Sequence, residues 1–419
     1  VKLLVERGAD VNAVGEDGGR LQEYLSSFCS SGNACTPGDI ANIIEFWIKQ
    51  GANVNVCSAD RVTLLHHAAD SYLYEDAVGY SIAEVLLRHG ANVNARDKDG
   101  VTPLRMAVGR WEDLKLIKLL LAHGADPNIR NSNSRSIAFQ GANQVTPLCA
   151  VVRSAYVSGC LDDDYRKKLC ELVRMLIEAG ADIQARDRKG PMPLEDAIMA
   201  GAGDILEALL EGRSDLSVFL NSPIARHFAE SPLGDAYYYE KPRSLLSIAA
   251  KAGHLNVIQW LLERGALINW RHEDGETALY HSKNAEVMQF LVESGADIHT
   301  PNLSGETVLH QLAKTKRSYD HQNNLEMLSV LMDAGADVDA QDRAGKIALT
   351  HAVVAERSLG TDDCVQAILK GHHQKFLFFA FGSHERVGVD SPVRMLSGDM
   401  RELIAQEYVA SVKRHMLPK

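Results

Sequence analysis

The stretch "GANVNARDKDGVTPLRMAV", residues 90–108, decides the fold. It follows the apolar run "AEVLLRH", which suits one face of a helix. Glycine directly after such a run enters the left-handed backbone region cheaply and stops the helix. Next, "VNARDKDG" offers two short extended pieces joined by an Asp/Gly turn, and so predicts a finger resembling a hairpin. Thr102 is placed to cap a new helix, and Pro103 sits in its first turn, where a missing N–H costs nothing. The predicted unit is therefore finger, helix, short loop, helix.

The same logic recurs along the chain. Gly-Ala-Asp/Asn appears at Gly8, Gly51, Gly90, Gly124, Gly180, Gly295 and Gly335, with Gly265-Ala266-Leu267 as a variant. Thr-Pro-Leu stands at Thr102 and Thr146, Thr-x-Leu-His ends at His66 and His310, and Ala-Gly-His-Leu fills 252–255. One such unit cannot bury its apolar face alone, so neighbours must stack to build a continuous core. In these motifs the chain resembles the ankyrin-repeat family over about 1–212 and 243–370. The resemblance implies an all-α repeat solenoid, an ankyrin-repeat array of about nine units with short hairpin fingers. It also implies that His66 holds finger backbone, and that fingers and first helices line a concave face for a protein partner.

The glycine spacings of 34 (90 to 124), 43 (8 to 51) and 56 (124 to 180) show where units are stretched. The excess falls in "ADSYLYEDAVGYS", "VSGCLDDDYRKK" and the finger "NSNSRSIAFQGANQ". We divide the chain into a first block (1–212, opening inside a unit), an irregular insertion or degenerate repeat (213–242), a second block (243–370) and a C-terminal segment (371–419). Because "VKLLVERGADVNA" reads as the second half of a unit, sequence preceding Val1 is expected.

Composition narrows the function. Net charge is −11, with 46% hydrophobic and 24% charged residues. An acidic chain without a long basic run argues against nucleic acid or an anionic membrane as partner. No apolar run approaches the ~18 residues that span a bilayer. The seven cysteines are irregularly spaced and lack a C-x-x-C pair, so they read as reduced thiols of an intracellular, cytoplasmic protein. No phosphate-binding loop, H-E-x-x-H or G-x-S-x-G occurs. His372, His373 and His384 lack supporting ligand spacing, and Asp162–Asp164 lack the glycine and terminal glutamate of a calcium loop. The expectation is a non-enzymatic, monomeric binding protein without cofactor, metal or catalytic residues.

Candidate partner contacts are the basic finger tips Arg96, Lys98, Arg130, Arg186, Arg188, Arg271, His272 and Arg343, which suit an acidic partner segment. Neighbouring Asp97, Asp99, Asp187, Asp274 and Asp342 leave a second reading open, that of ordinary charged turns. Trp111 and Trp270 are either exposed anchors or packed on adjacent fingers.

The C-terminal segment follows different rules. "KFLFFAFG" is expected to seal the last unit, and a helix is expected over about 397–412. Ser391-Pro392-x-x-Met395-Leu396-x-x-Asp399-Met400-x-x-x-Ile404 is similar to the first helix of an F-box, in the shortened PRANC form that follows ankyrin arrays in poxvirus proteins. Ser397 stands where that pattern usually has proline, and the chain ends before most of a full F-box. The resemblance implies docking of Pro392, Leu396, Asp399, Met400, Leu403 and Ile404 on the linker subunit of a cullin–RING ubiquitin ligase. The alternative is that this helix caps the stack.

Overall fold

A computed structural model describes residues 37–70, 76–109, 114–131, 145–157, 163–185, 192–213, 215–222, 243–314, 321–356 and 368. Among these residues the regular structure is helical. No strand forms, and the fingers contain only the isolated bridges Cys57–Thr63 and Gln341–Ile347. The chain divides into two compact units. The first contains the described residues up to 213, and the second contains 215–222 and those from 243 onward.

In the first unit, Pro37–Lys49 packs against Asp76–Arg88, which also packs on Leu64–Ala68. Three further helix pairs follow: Pro103–Val108 with Leu114–Ala122, Pro147–Val157 with Asp163–Glu178, and Pro193–Met199 with Gly203–Leu210. The second unit opens with Leu216–Leu220 and pairs Leu245–Ala252 with Leu255–Glu263. A 3-10 turn, Ala278–His281, pairs with Ala285–Glu293, and Val308–Lys314 pairs with His321–Asp333. Ala348–Glu356 packs on Val308–Lys314. Ile82, Leu86, Ile117, Leu120, Leu172 and Leu176 are almost wholly buried. Each such side chain contributes about 1.5–3 kcal/mol through burial.

The recurring Gly-Ala-Asp/Asn has a local cause at every letter. Gly124 has φ +85°, its amide donates to Leu121 O (3.0 Å), and the Ala125 amide donates to Leu120 O (3.0 Å). This is the paired bond set that closes a helix on a left-handed residue. The third residue then makes a side-chain turn: Asp126 Oδ1 accepts from the Asn128 amide at 2.8 Å, and Asp182 Oδ1 from the Gln184 amide at 2.8 Å.

Four residues after the glycine, an asparagine clips one repeat to the next. Asn55 Nδ2 donates to Gly90 O (3.2 Å), while its Oδ1 accepts from the Asn92 amide (2.7 Å). Asn94 makes the same two bonds to Gly124 and Asp126, and Asn128 makes them to Gly180 and Asp182. In the second unit Asn269 repeats them on Gly295 and Asp297. Asn221 makes them too, on Gly265 and Leu267, although it follows a short helix rather than a Gly-Ala-Asp turn. The beginning of the irregular 213–242 stretch therefore carries the clip of a finger. Residues 223–242 lie outside the described residues.

Candidate partner-binding face

The fingers stack backbone to backbone. The Lys98 amide donates to Asp60 O (2.8 Å), the Leu303 amide to Asp274 O (2.7 Å) and the Arg343 amide to Ser304 O (3.0 Å). At Gly305, with φ +79°, a Cβ would lie 2.7 Å from the Arg343 nitrogen, so this approach requires glycine.

Each finger turn is organised by its own polar residue. Asp97 Oδ1 accepts from the Asp99 amide (2.9 Å) and the Val101 amide (2.7 Å), and the residue is buried. Burial pushes the Asp97 carboxyl above its ordinary range, against the opposing effect of the Val101 hydrogen bond. Asn302 and Asp342 hold their turns in the same way.

Below the fingers, the fourth residue of each Thr-Pro-Leu-x element reaches toward the next finger. The Thr63 amide donates to His66 Nδ1 (3.2 Å), which places the ring proton on Nε2, 3.0 Å from Val101 O. Burial lowers the pKa of His66, so the ring stays neutral. His310 repeats this on Lys346 O at 3.1 Å, while Cys149 Sγ donates to Ala185 O at 3.3 Å. The Tyr280 hydroxyl donates to Thr300 O at 2.7 Å. Arg105 fills the same position in its unit, and burial pulls its pKa down to about 10.

Against this frame, the structure sorts the basic tips. Arg96, Lys98 and Arg130 are exposed. Arg96 Nη2 donates to Arg130 O (2.8 Å), which lays the Arg96 side chain across to the next finger. Lys98 Nζ pairs with Asp60 Oδ1 at 2.8 Å, and this partner raises its pKa. Arg271 is exposed and donates to Pro301 O (2.6 Å) and Gly275 O (3.3 Å); Arg343 is also exposed. Trp111, Arg186 and Arg188 lie outside the described residues, as do Pro392, Leu396, Asp399, Met400, Leu403 and Ile404.

His272 corrects the sequence reading. The residue is only 6% exposed, and its ring shares a 2.7 Å hydrogen bond with Ser247 Oγ, so it is spent inside the joint rather than displayed. Trp270 is half-buried, with its indole edge-on to the His272 ring at 5.0 Å. Four large apolar side chains exposed among the described residues were not singled out as contacts from the sequence: Val218 (74%), Leu267 (57%), Leu303 (52%) and Met199 (37%). Leu267 stands where other units carry Asp or Asn, and this substitution is its only signal in the sequence.

Comparison with known proteins places these observations. The family model "Ankyrin repeats (3 copies)" matches residues 32–131, 221–302 and 281–376, together more than half of the chain. The chain belongs to the ankyrin-repeat family, whose members are typically protein-interaction modules. Among solved structures it is similar to the ankyrin repeat domain of Bcl-3, described as a unique member of the IkappaB protein family. That match has a TM-score of 0.43 and 22% identity, and covers 64% of this chain and 99% of the other. Between 131 and 221, where the family model finds no match, the helix pairs still follow the repeat pattern, and Gly180 and Asp182 there receive the Asn128 clip. No helix among the described residues is long and apolar enough to cross a membrane.

Proposed function

We propose that the chain binds a protein partner through its fingers and first helices, and that the finger edge of the first unit receives an acidic segment. One observation carries this reading. The Asp97 carboxylate is buried and held by the amides of its own turn, so it is not displayed beside the surface cations, although its charge still acts on Lys98. Arg61, Arg96, Lys98 and Arg130 are exposed there, and Lys98 is paired with Asp60. Cations arranged along adjacent fingers raise the association rate and select partners by complementary charge.

The test is peptide-display selection with the full chain as bait. Wild type is expected to enrich acidic sequences whose binding weakens as salt rises. The double change Arg96→Glu and Arg130→Glu is expected to abolish that enrichment while the melting midpoint stays put, since exposed substitutions usually cost under about 0.5 kcal/mol. Retained acidic enrichment in the double variant would refute the finger-edge assignment.

A second reading rests on the motif from Ser391 to Ile404, which favours an adaptor that recruits substrates to a cullin–RING ubiquitin ligase. Its test is co-purification of the full chain with the ligase linker subunit, compared with a Leu396→Asp, Ile404→Asp variant. Equal recovery of the linker from both excludes docking through this helix.

A further inference from the structure

The joint between the fingers at 295–307 and 335–347 differs from its neighbours. Four residues after Gly295 stands His299, not asparagine, and no bond to Gly335 O or the Asp337 amide runs from it. At this joint a different group assembles. Glu306 lies at the foot of one finger, Asp342 in the next, and His351 on the helix Ala348–Glu356. Their ligating atoms all lie within 4.8 Å of one another, and His351 Nε2 is 2.8 Å from Asp342 Oδ2.

The group has the features of a built site. Asp342 Oδ1 is fixed by the Ala344 amide (2.8 Å) and the Lys346 amide (2.9 Å), which aims Oδ2 at the histidine. The His310 ring packs edge-on against His351, with ring centroids 5.8 Å apart. Lys314 Nζ bonds Glu306 Oε1, so a cationic group already sits on this carboxylate. Asp342 is buried and the other two are half-buried, which leaves a way in from solvent.

We infer that Glu306, Asp342 and His351 form a binding site for a divalent transition ion of the zinc class, which clamps this joint where the asparagine clip is missing. One imidazole and two carboxylates suit such an ion, with bonds of about 2.0–2.2 Å and at least one position left to water. Binding requires the Lys314 ammonium to swing off Glu306 and the Nε2 proton to leave His351; the ion takes the place of both. This inference concerns the second unit and does not depend on the acidic-partner reading.

The experiment titrates the full chain with Co2+ at pH 7 by visible absorption, and with Zn2+ by thermal melting. Wild type is expected to give ligand-field bands without a thiolate charge-transfer band, and a melting midpoint that climbs with Zn2+. His351→Gln and Glu306→Gln should each weaken binding by about tenfold or more, while His299→Gln leaves it unchanged. Lys314→Met removes the competing cation and should tighten it. Glu306→Gln, at a half-buried side chain, keeps the test decisive should His351→Gln fail to fold. Absence of Co2+ bands in wild type, Glu306→Gln binding as wild type, or Lys314→Met leaving affinity unmoved would each overturn the site and leave a simple ion-pair network.

Discussion

Two joints of this molecule solve one problem with opposite parts. After the helix Leu64–Ala68, the helix supplies a long ring, His66, and the next finger supplies a backbone carbonyl, Val101 O. After Leu245–Ala252, the helix supplies a short hydroxyl, Ser247, and the finger supplies the ring, His272, at the place where Asp97 stands in the other finger. Ser244 Oγ, 2.9 Å from Ser247 Oγ, extends the second arrangement into a chain. The stack therefore fixes the gap and the polar link across it, but not which side donates the ring. Each residue is an exception to the repeat when read alone, and the two exceptions cancel as a pair.

The comparison is broken most strongly by mixing the two solutions. Ser247→His places two rings in one gap, and overpacking a filled core costs about 1–3 kcal/mol. His272→Asp leaves the gap unfilled and buries a carboxylate beside Ser247, at a cost of about 3 kcal/mol. The double variant restores the arrangement of the first joint. Its loss should therefore be at least about 1 kcal/mol smaller than the sum of the single losses, as expected for contacting residues. Urea unfolding followed through Trp260 and Trp270, both in the second unit, measures it. Additive losses would show that the two positions do not compensate.

Acid sharpens the same contrast. Burial pushes His281 down to about 3, assisted by the nearby charges of Arg243, His272 and Lys251 and opposed by Asp274; Glu276 Oε2 lies 3.3 Å from its Nε2. An unfolded histidine titrates near 6.5. Between these values the unfolded chain binds the extra proton, so stability falls as pH drops from about 6.5 toward 3. The slope approaches about 1.4 kcal/mol per pH unit at mid-range. His66 is shifted in the same direction in the first unit. Melting scans from pH 7 to 4 are expected to show this slope in the second unit, and His281→Gln should flatten it. An unchanged slope would assign the acid response to other groups.

How much of this was legible in the sequence depends on distance along the chain. Gly124 was readable as a helix stop because its bond closes within a few residues; the Ala125 capping amide and the Asp126 side-chain turn are equally local but came with the structure. Thr102 was readable for the same reason, since its Oγ1 accepts from the Arg105 amide (3.2 Å) three residues on. The asparagine clips were not, although the asparagines recur, because the partner of Asn94 is Gly124 and that of Asn128 is Gly180. The unequal intervals come from the inserted loops, and only stacking brings the pairs together. His272 was misassigned for the same reason: a basic residue in a turn reads as surface until its bond to Ser247 is seen. On the candidate face, Arg96 and Arg130 stood out as basic tips, whereas the removal of Asp97 from the surface depended on its burial.

The smallest effect tests the clip by itself. Asn94 spans two repeats with one donor and one acceptor at a half-buried position, so Asn94→Ala removes two bonds that water partly replaces. The expected loss is about 1 kcal/mol. His299 is the converse case. The helix stop at Gly335 matches that at Gly124, with the Ala336 amide on Leu331 O at 2.9 Å. His299→Asn should therefore gain about 0.5 kcal/mol by adding the side-chain pair that Asn94 makes. Urea unfolding of the variant reads this directly. If stability does not rise, the clip depends on more than its asparagine, and the spacing of the fingers at this joint must differ from that between Gly90 and Gly124.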